Sequence, residues 1–88
     1  MPYRITSFEP TPNPNALKLM VEPSPASTPR SYFNPAQAAE DSLAKALFDV
    51  DGVTNVLIHA AFITVGKRPE APWRAIRVGV ERALAAAD

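Results

Sequence analysis

Residues 3–21 read Tyr3-Arg4-Ile5-Thr6-Ser7-Phe8-Glu9-Pro10-Thr11-Pro12-Asn13-Pro14-Asn15-Ala16-Leu17-Lys18-Leu19-Met20-Val21. The first seven alternate, with Tyr3, Ile5 and Ser7 on one face and Arg4, Thr6 and Phe8 on the other, the pattern of a half-buried strand. Alternation resumes at Ala16, with Leu17, Leu19 and Val21 on one face and Ala16, Lys18 and Met20 opposite. Between them, prolines at 10, 12 and 14 fix φ and push Glu9, Thr11 and Asn13 into extended geometry. The stretch therefore predicts two antiparallel strands joined by a stiff ribbon.

Working outward, residues 22–35 are expected to be irregular. Seven of the ten prolines lie between Pro10 and Pro35, and proline opposes both helix and central strand. Tyr32 and Phe33 are expected to anchor this loop by burial. Asn34 suits an N-cap, Pro35 the first helical position, and Gln37 the return arm of a capping box. A helix is predicted from there to Gly52, with Ala39, Leu43, Ala46, Leu47 and Val50 inward and Glu40, Asp41 and Lys45 in water. Residues 53–65 predict a hairpin turning at Ala60–Ala61, pairing Ile58 with Ile63 and Val56 with Val65. Leu57, His59, Phe62 and Thr64 would share its other face. A last helix is predicted over 72–86, with Trp73, Ile76, Val80, Ala83, Leu84 and Ala87 as its stripe and Gly79 allowing close packing.

The order ββαββα predicts one α+β domain over residues 1–88: a two-layer sandwich, a four-stranded antiparallel sheet with two helices on one face. The 88 residues carry nine basic and nine acidic side chains, for zero formal net charge. Such a chain has no strong field to gather nucleic acid or anionic lipid. No apolar run approaches the length of a membrane span or a signal peptide, so the expected location is the cytoplasm. Cysteine is absent, which excludes disulfides, thiolate nucleophiles and thiolate metal sites within the chain.

Candidate chemistry is sparse. His59 is the sole histidine; it has no companion ligand or orienting partner nearby in sequence, and it reads as a turn residue packing on Phe62. Ser24, Ser27, Thr28 and Ser31 carry no nucleophile motif, and three glycines make no phosphate loop. No catalytic residue, metal site or cofactor is expected. The ribbon instead holds Glu9, Thr11, Asn13 and Asn15 on a preorganised backbone, which loses little entropy on binding; the plainer alternative is that these groups only shape the turn. The sheet face away from the helices is expected to carry Arg4, Thr6, Phe8, Lys18, Met20, Leu57 and Phe62, an apolar patch among polar neighbours.

The run Phe8-Glu9-Pro10-Thr11-Pro12-Asn13-Pro14-Asn15-Ala16-Leu17-Lys18 resembles the signature of the N-terminal domain of the Nfu/NifU-like iron–sulfur scaffold proteins. Similarity continues through Ser42–Phe48, Asp51–Val53, Phe62–Val65 and Trp73. Ser7 stands where that family usually has threonine, and Ala61 where it usually has aspartate. The resemblance implies the same ββαββα fold and a role in iron–sulfur protein maturation. In full-length relatives a following Cys-x-x-Cys domain holds the cluster, and a cysteine-free chain offers no thiolates for one. The expectation is therefore a stand-alone, non-catalytic accessory domain that contacts iron–sulfur assembly factors or target apoproteins. Its partner-binding residues would be Glu9, Thr11, Asn13, Asn15, Lys18, Phe8, Met20 and Phe62. A general interaction module, including a homodimer, and a small enzyme or metal binder using His59 and loop carboxylates are the alternatives.

Overall fold

The computed structural model describes residues 3–22 and 28–86. Strands β1 (Arg4–Pro10), β2 (Ala16–Glu22), β3 (Arg30–Tyr32), β4 (Val53–Ile58) and β5 (Phe62–Lys67) form one antiparallel sheet in the order β1-β2-β5-β4-β3. Helices α1 (Ser42–Phe48) and α2 (Trp73–Ala86) cover one face. The α+β, two-layer expectation holds, but the sheet has five strands rather than four. The added strand, β3, lies inside the region read as loop. Its register sets Arg30 opposite Ile58 and Tyr32 opposite Val56. An edge strand pairs on one side only, so Pro29 just before it takes no donor from the ladder. The predicted loop at 23–27, and Ala87 at the end of the predicted stripe, fall outside the described residues.

The first helix is shorter than predicted. One arm of the capping box forms, with the Gln37 amide donating to Asn34 Oδ1 at 2.9 Å, but the Gln37 side chain reaches one residue past the cap and accepts the Phe33 amide at 2.7 Å instead of that of Asn34. Four-residue turns follow this cap, such as that closed by Ala38 N to Pro35 O at 3.1 Å. The α-helix begins after Asp41, whose extended backbone (φ −108°, ψ 101°) and carboxylate accepting from the Ala44 amide at 3.2 Å make a second, effective N-cap. Ala38 is consequently buried and Ala39 exposed, the reverse of the predicted stripe. Asp41, expected in water, is only 13% exposed at its side chain. It takes an ion-pair contact from Arg30 Nε at 2.8 Å and the Tyr32 hydroxyl hydrogen at 2.7 Å. Phe33 anchors nothing; it is 70% exposed, whereas Tyr32 packs against the core. Gly52 does take a left-handed φ of +97°, but the helix has already ended at Phe48, capped by Asp49.

The β4–β5 hairpin has the predicted register, Ile58 opposite Ile63 and Val56 opposite Val65, with the His59 amide closing the turn onto Phe62 O at 2.8 Å. No described non-glycine residue has positive φ, so Ala60 and Ala61 do not form a primed turn. Leu19, Val56, Ile58, Ile63 and Val65 from the sheet meet Leu47 of α1 and Ile76, Val80 and Leu84 of α2, all essentially inaccessible to solvent. Each such side chain contributes about 1.5–3 kcal/mol through burial, which makes this seam the main source of stability.

Candidate functional site

The ribbon between β1 and β2 is built largely by its own polar groups. The Thr11 hydroxyl lies 2.8 Å from Asn13 O and 3.1 Å from Ala16 O, sharing its hydrogen between them, and accepts the Asn13 amide at 3.2 Å. Asn13 Oδ1 accepts the Asn15 amide at 2.9 Å, an Asx turn, and Asn13 O accepts the Ala16 amide at 3.0 Å. Three prolines leave few backbone donors, and these side chains serve the ones that exist.

Two residues from the far end of the chain then fasten the ribbon down. The Lys67 backbone amide donates to Asn15 O at 2.8 Å. Its ammonium donates to Asn15 Oδ1 at 3.2 Å, Arg68 O at 3.2 Å and Pro69 O at 3.1 Å, and sits 5.4 Å from the centre of the Trp73 ring. Trp73 donates its indole N–H to Pro14 O at 3.2 Å. Lys67 is only 9% exposed, and among the described residues it is the buried charged side chain. Nothing in the sequence marks it: it follows Gly66 at a strand end, where lysine usually projects into water. Trp73 reads from sequence as an apolar stripe residue, and its N–H is the part periodicity cannot assign.

The opposite sheet face has no described element over it. Directly paired residues share a face, so the register places Ser7 and Glu9 of β1, Lys18 and Met20 of β2, Phe62 and Thr64 of β5, and Leu57 of β4 together on the open side. Glu9 stands opposite Lys18, and Met20 opposite Phe62. The Lys18 ammonium hovers 4.3 Å from the centre of the Phe62 ring, and His59 stacks on the same ring at 4.5 Å. The reading of His59 as a packed turn residue is thus realised, although its Nδ1 is buried without a hydrogen-bond partner. Among the described residues no three His, Asp or Glu side chains cluster as metal ligands, and no helix is long and apolar enough to cross a membrane.

Phe8 is the site residue that the structure moves. The pairing of β1 with β2 slips between Ile5 and Ser7, leaving Thr6 as a bulge. One extra residue inverts every later side chain. Phe8 therefore lies opposite Leu19 on the helix side, packs against the core, and lies beneath the Arg77 guanidinium of α2 at 4.9 Å. Ser7 and Glu9 take the open-face positions that the sequence pattern assigns to Thr6 and Phe8. Glu9, Lys18, Met20 and Phe62 thus lie together on the face, with Thr11, Asn13 and Asn15 at its end.

The fold recurs in known proteins. A crystal structure of Staphylococcus aureus protein SAV1430 superposes with a TM-score of 0.77 at 26% identity, covering 91% of this chain and 96% of that one. The solution structure of a NifU-like protein from Saccharomyces cerevisiae shares the fold, with a TM-score of 0.76 at 24% identity over 93% of this chain and 76% of that one. A mitochondrial NFU1 iron–sulfur cluster scaffold homolog from Drosophila sechellia is 38% identical over 69 residues, 76% of this chain and 24% of the homolog. Conserved virulence factor C of Staphylococcus aureus strain USA300 is 25% identical over 84 residues, 96% of this chain and 22% of that protein. The chain thus spans about a quarter of the length of these curated relatives. The family described as scaffold protein Nfu/NifU N terminal matches residues 5–87, and the chain belongs to it.

Proposed function

We propose that this domain is a non-catalytic recognition module in iron–sulfur protein maturation, contacting assembly factors or target apoproteins through the ribbon and the adjoining open sheet face. The observation that carries the reading is the sheet face with no described element over it, where Met20, Phe62 and Leu57 share a side with Lys18, whose ammonium lies over the Phe62 ring, beside a ribbon fixed before any partner arrives. A preorganised loop and a ready apolar centre reduce the ordering cost of association. Family membership supports the iron–sulfur setting, and the absence of cysteine leaves cluster ligation to other thiolates.

The test is co-purification with defined iron–sulfur proteins, namely a Cys-x-x-Cys cluster carrier and a set of apoproteins, followed by titration of the purified pair. Glu9→Ala/Asn13→Ala and Lys18→Glu/Phe62→Asp should each weaken the complex at least about tenfold, a loss of about 1.4 kcal/mol. Undiminished affinity in both double variants would remove the ribbon and the face from the interface.

A further inference from the structure

Lys67 is an unusual residue to bury. A desolvated ammonium is costly, and among the described residues no carboxylate pairs with it. Its surroundings are neutral: one carboxamide oxygen, two carbonyl oxygens and the face of an indole. A neutral side chain of similar volume would avoid the desolvation cost. What it could not do is donate three hydrogen bonds from one point, the chemistry specific to an ammonium. One of those bonds reaches across to the ribbon, at Asn15, while the other two hold the ammonium in place against the Arg68 and Pro69 carbonyls of its own segment, between β5 and α2. Trp73 adds a second tie to the ribbon, one residue before Asn15.

We infer that Lys67 is the positioning residue of the 11–15 ribbon, turning the Asn15 carboxamide inward and leaving Glu9, Asn13 and Lys18 as the polar groups a partner protein reads. The inference rests on the recognition role proposed above and divides that site into a fastened half and a presented half. Asn15 belongs to the first, because its backbone carbonyl and its side-chain oxygen are both taken by Lys67. Asn13 belongs to the second: it is exposed, and only its oxygens shape the turn.

Amide hydrogen exchange tests this without a partner. Ribbon reporters are the amides of Asn13, Asn15 and Ala16, each bonded within the ribbon; the distant reporter is Leu47 in α1. Lys67→Met should accelerate ribbon exchange about tenfold beyond any change at Leu47, as expected when one local unit opens alone. Lys67→Arg should recover only part of the protection, since a planar fork cannot place three hydrogens around one point. If Lys67→Met does not fold, Asn15→Ala and Trp73→Phe each remove one tie and should loosen the ribbon about threefold on the same measure. Unchanged ribbon exchange, or equal acceleration at the ribbon and Leu47, would overturn the inference. Partner affinity is read separately: a loosened ribbon with undiminished affinity sinks the recognition role of the ribbon and leaves its fastening by Lys67 standing.

Discussion

Gly79 of α2 lies so close to Val50 that a Cβ placed on it would come within 2.6 Å of Val50 Cγ1. The glycine weakens the helix by about 1 kcal/mol relative to alanine, yet it allows α2 to settle against the end of α1. Gly79→Ala should therefore lower stability by about 1–2 kcal/mol despite its better helix propensity, because overpacking outweighs the gain. Urea denaturation of Gly79→Ala and of Gly79→Ala/Val50→Ala checks this: the double variant should recover part of the loss due to crowding.

A second glycine makes room for a side chain on the open face. The Asn55 carboxamide lies over Gly66, in the space that a Cβ would fill. Gly66→Ala should destabilise the hairpin by about 1–3 kcal/mol, and Asn55→Ala should relieve most of that. Strong favourable coupling in this double-mutant cycle is the expected result; simple additivity would show that the contact is not the cause.

Asp41 joins α1 to β3 by capping the helix, pairing with Arg30 and accepting from Tyr32. Its replacement by alanine should cost about 2 kcal/mol, through the lost cap and the lost charge-assisted hydrogen bond. That hydrogen bond, together with partial burial and the nearby carboxylate charge, holds the Tyr32 phenol above its ordinary value. The folded state thus keeps the phenolic proton more tightly than the unfolded chain. The resulting stabilisation is complete below about pH 10, the unfolded value, and fades as pH rises through the folded one. Tyrosinate absorbance of the wild type minus that of Tyr32→Phe should give a curve displaced to higher pH, and Asp41→Ala should move it back.

The bulge at Thr6 separates two phenylalanines that the alternation pattern assigns to one face. Phe8 packs against the core beneath α2, whereas Phe62 lies on the open side. Phe8→Ala should cost roughly 2 kcal/mol by cavity formation at a partly buried site, and Phe62→Ala about half of that, since a face open to water closes around the smaller side chain more easily. Equal losses in thermal unfolding would show that the bulge does not invert the strand.

Much of this architecture is legible wherever one physical signal acts alone. The 53–65 hairpin needs only alternation, and α2 only a 3.6-residue stripe ending in Ile76, Val80 and Leu84. The failures occur where two signals compete or none is present. Asn34 and Asp41 are both sound caps, and local chemistry satisfies the first while tertiary contacts with Arg30 and Tyr32 reward the second. Strand β3 is three residues long, too short to show a period. An inserted Thr6 leaves every residue type plausible on either face. In the site, the ribbon is legible because proline acts on its own neighbours, whereas Lys67 acquires its role only from groups brought together by the fold.

The indole–carbonyl tie joins positions 14 and 73, 59 residues apart. During synthesis, the ribbon emerges early but has nothing to fasten it until the segment carrying Lys67 and Trp73 has emerged and docked. Contacts that close so large a loop form late, once the entropy of closure can be met by the packed sheet. Full fastening of the ribbon thus depends on a segment made much later: a chain cut short of Lys67 and Trp73 keeps the prolines and the local turn bonds but lacks both ties, so under the recognition role proposed above it would offer a looser surface.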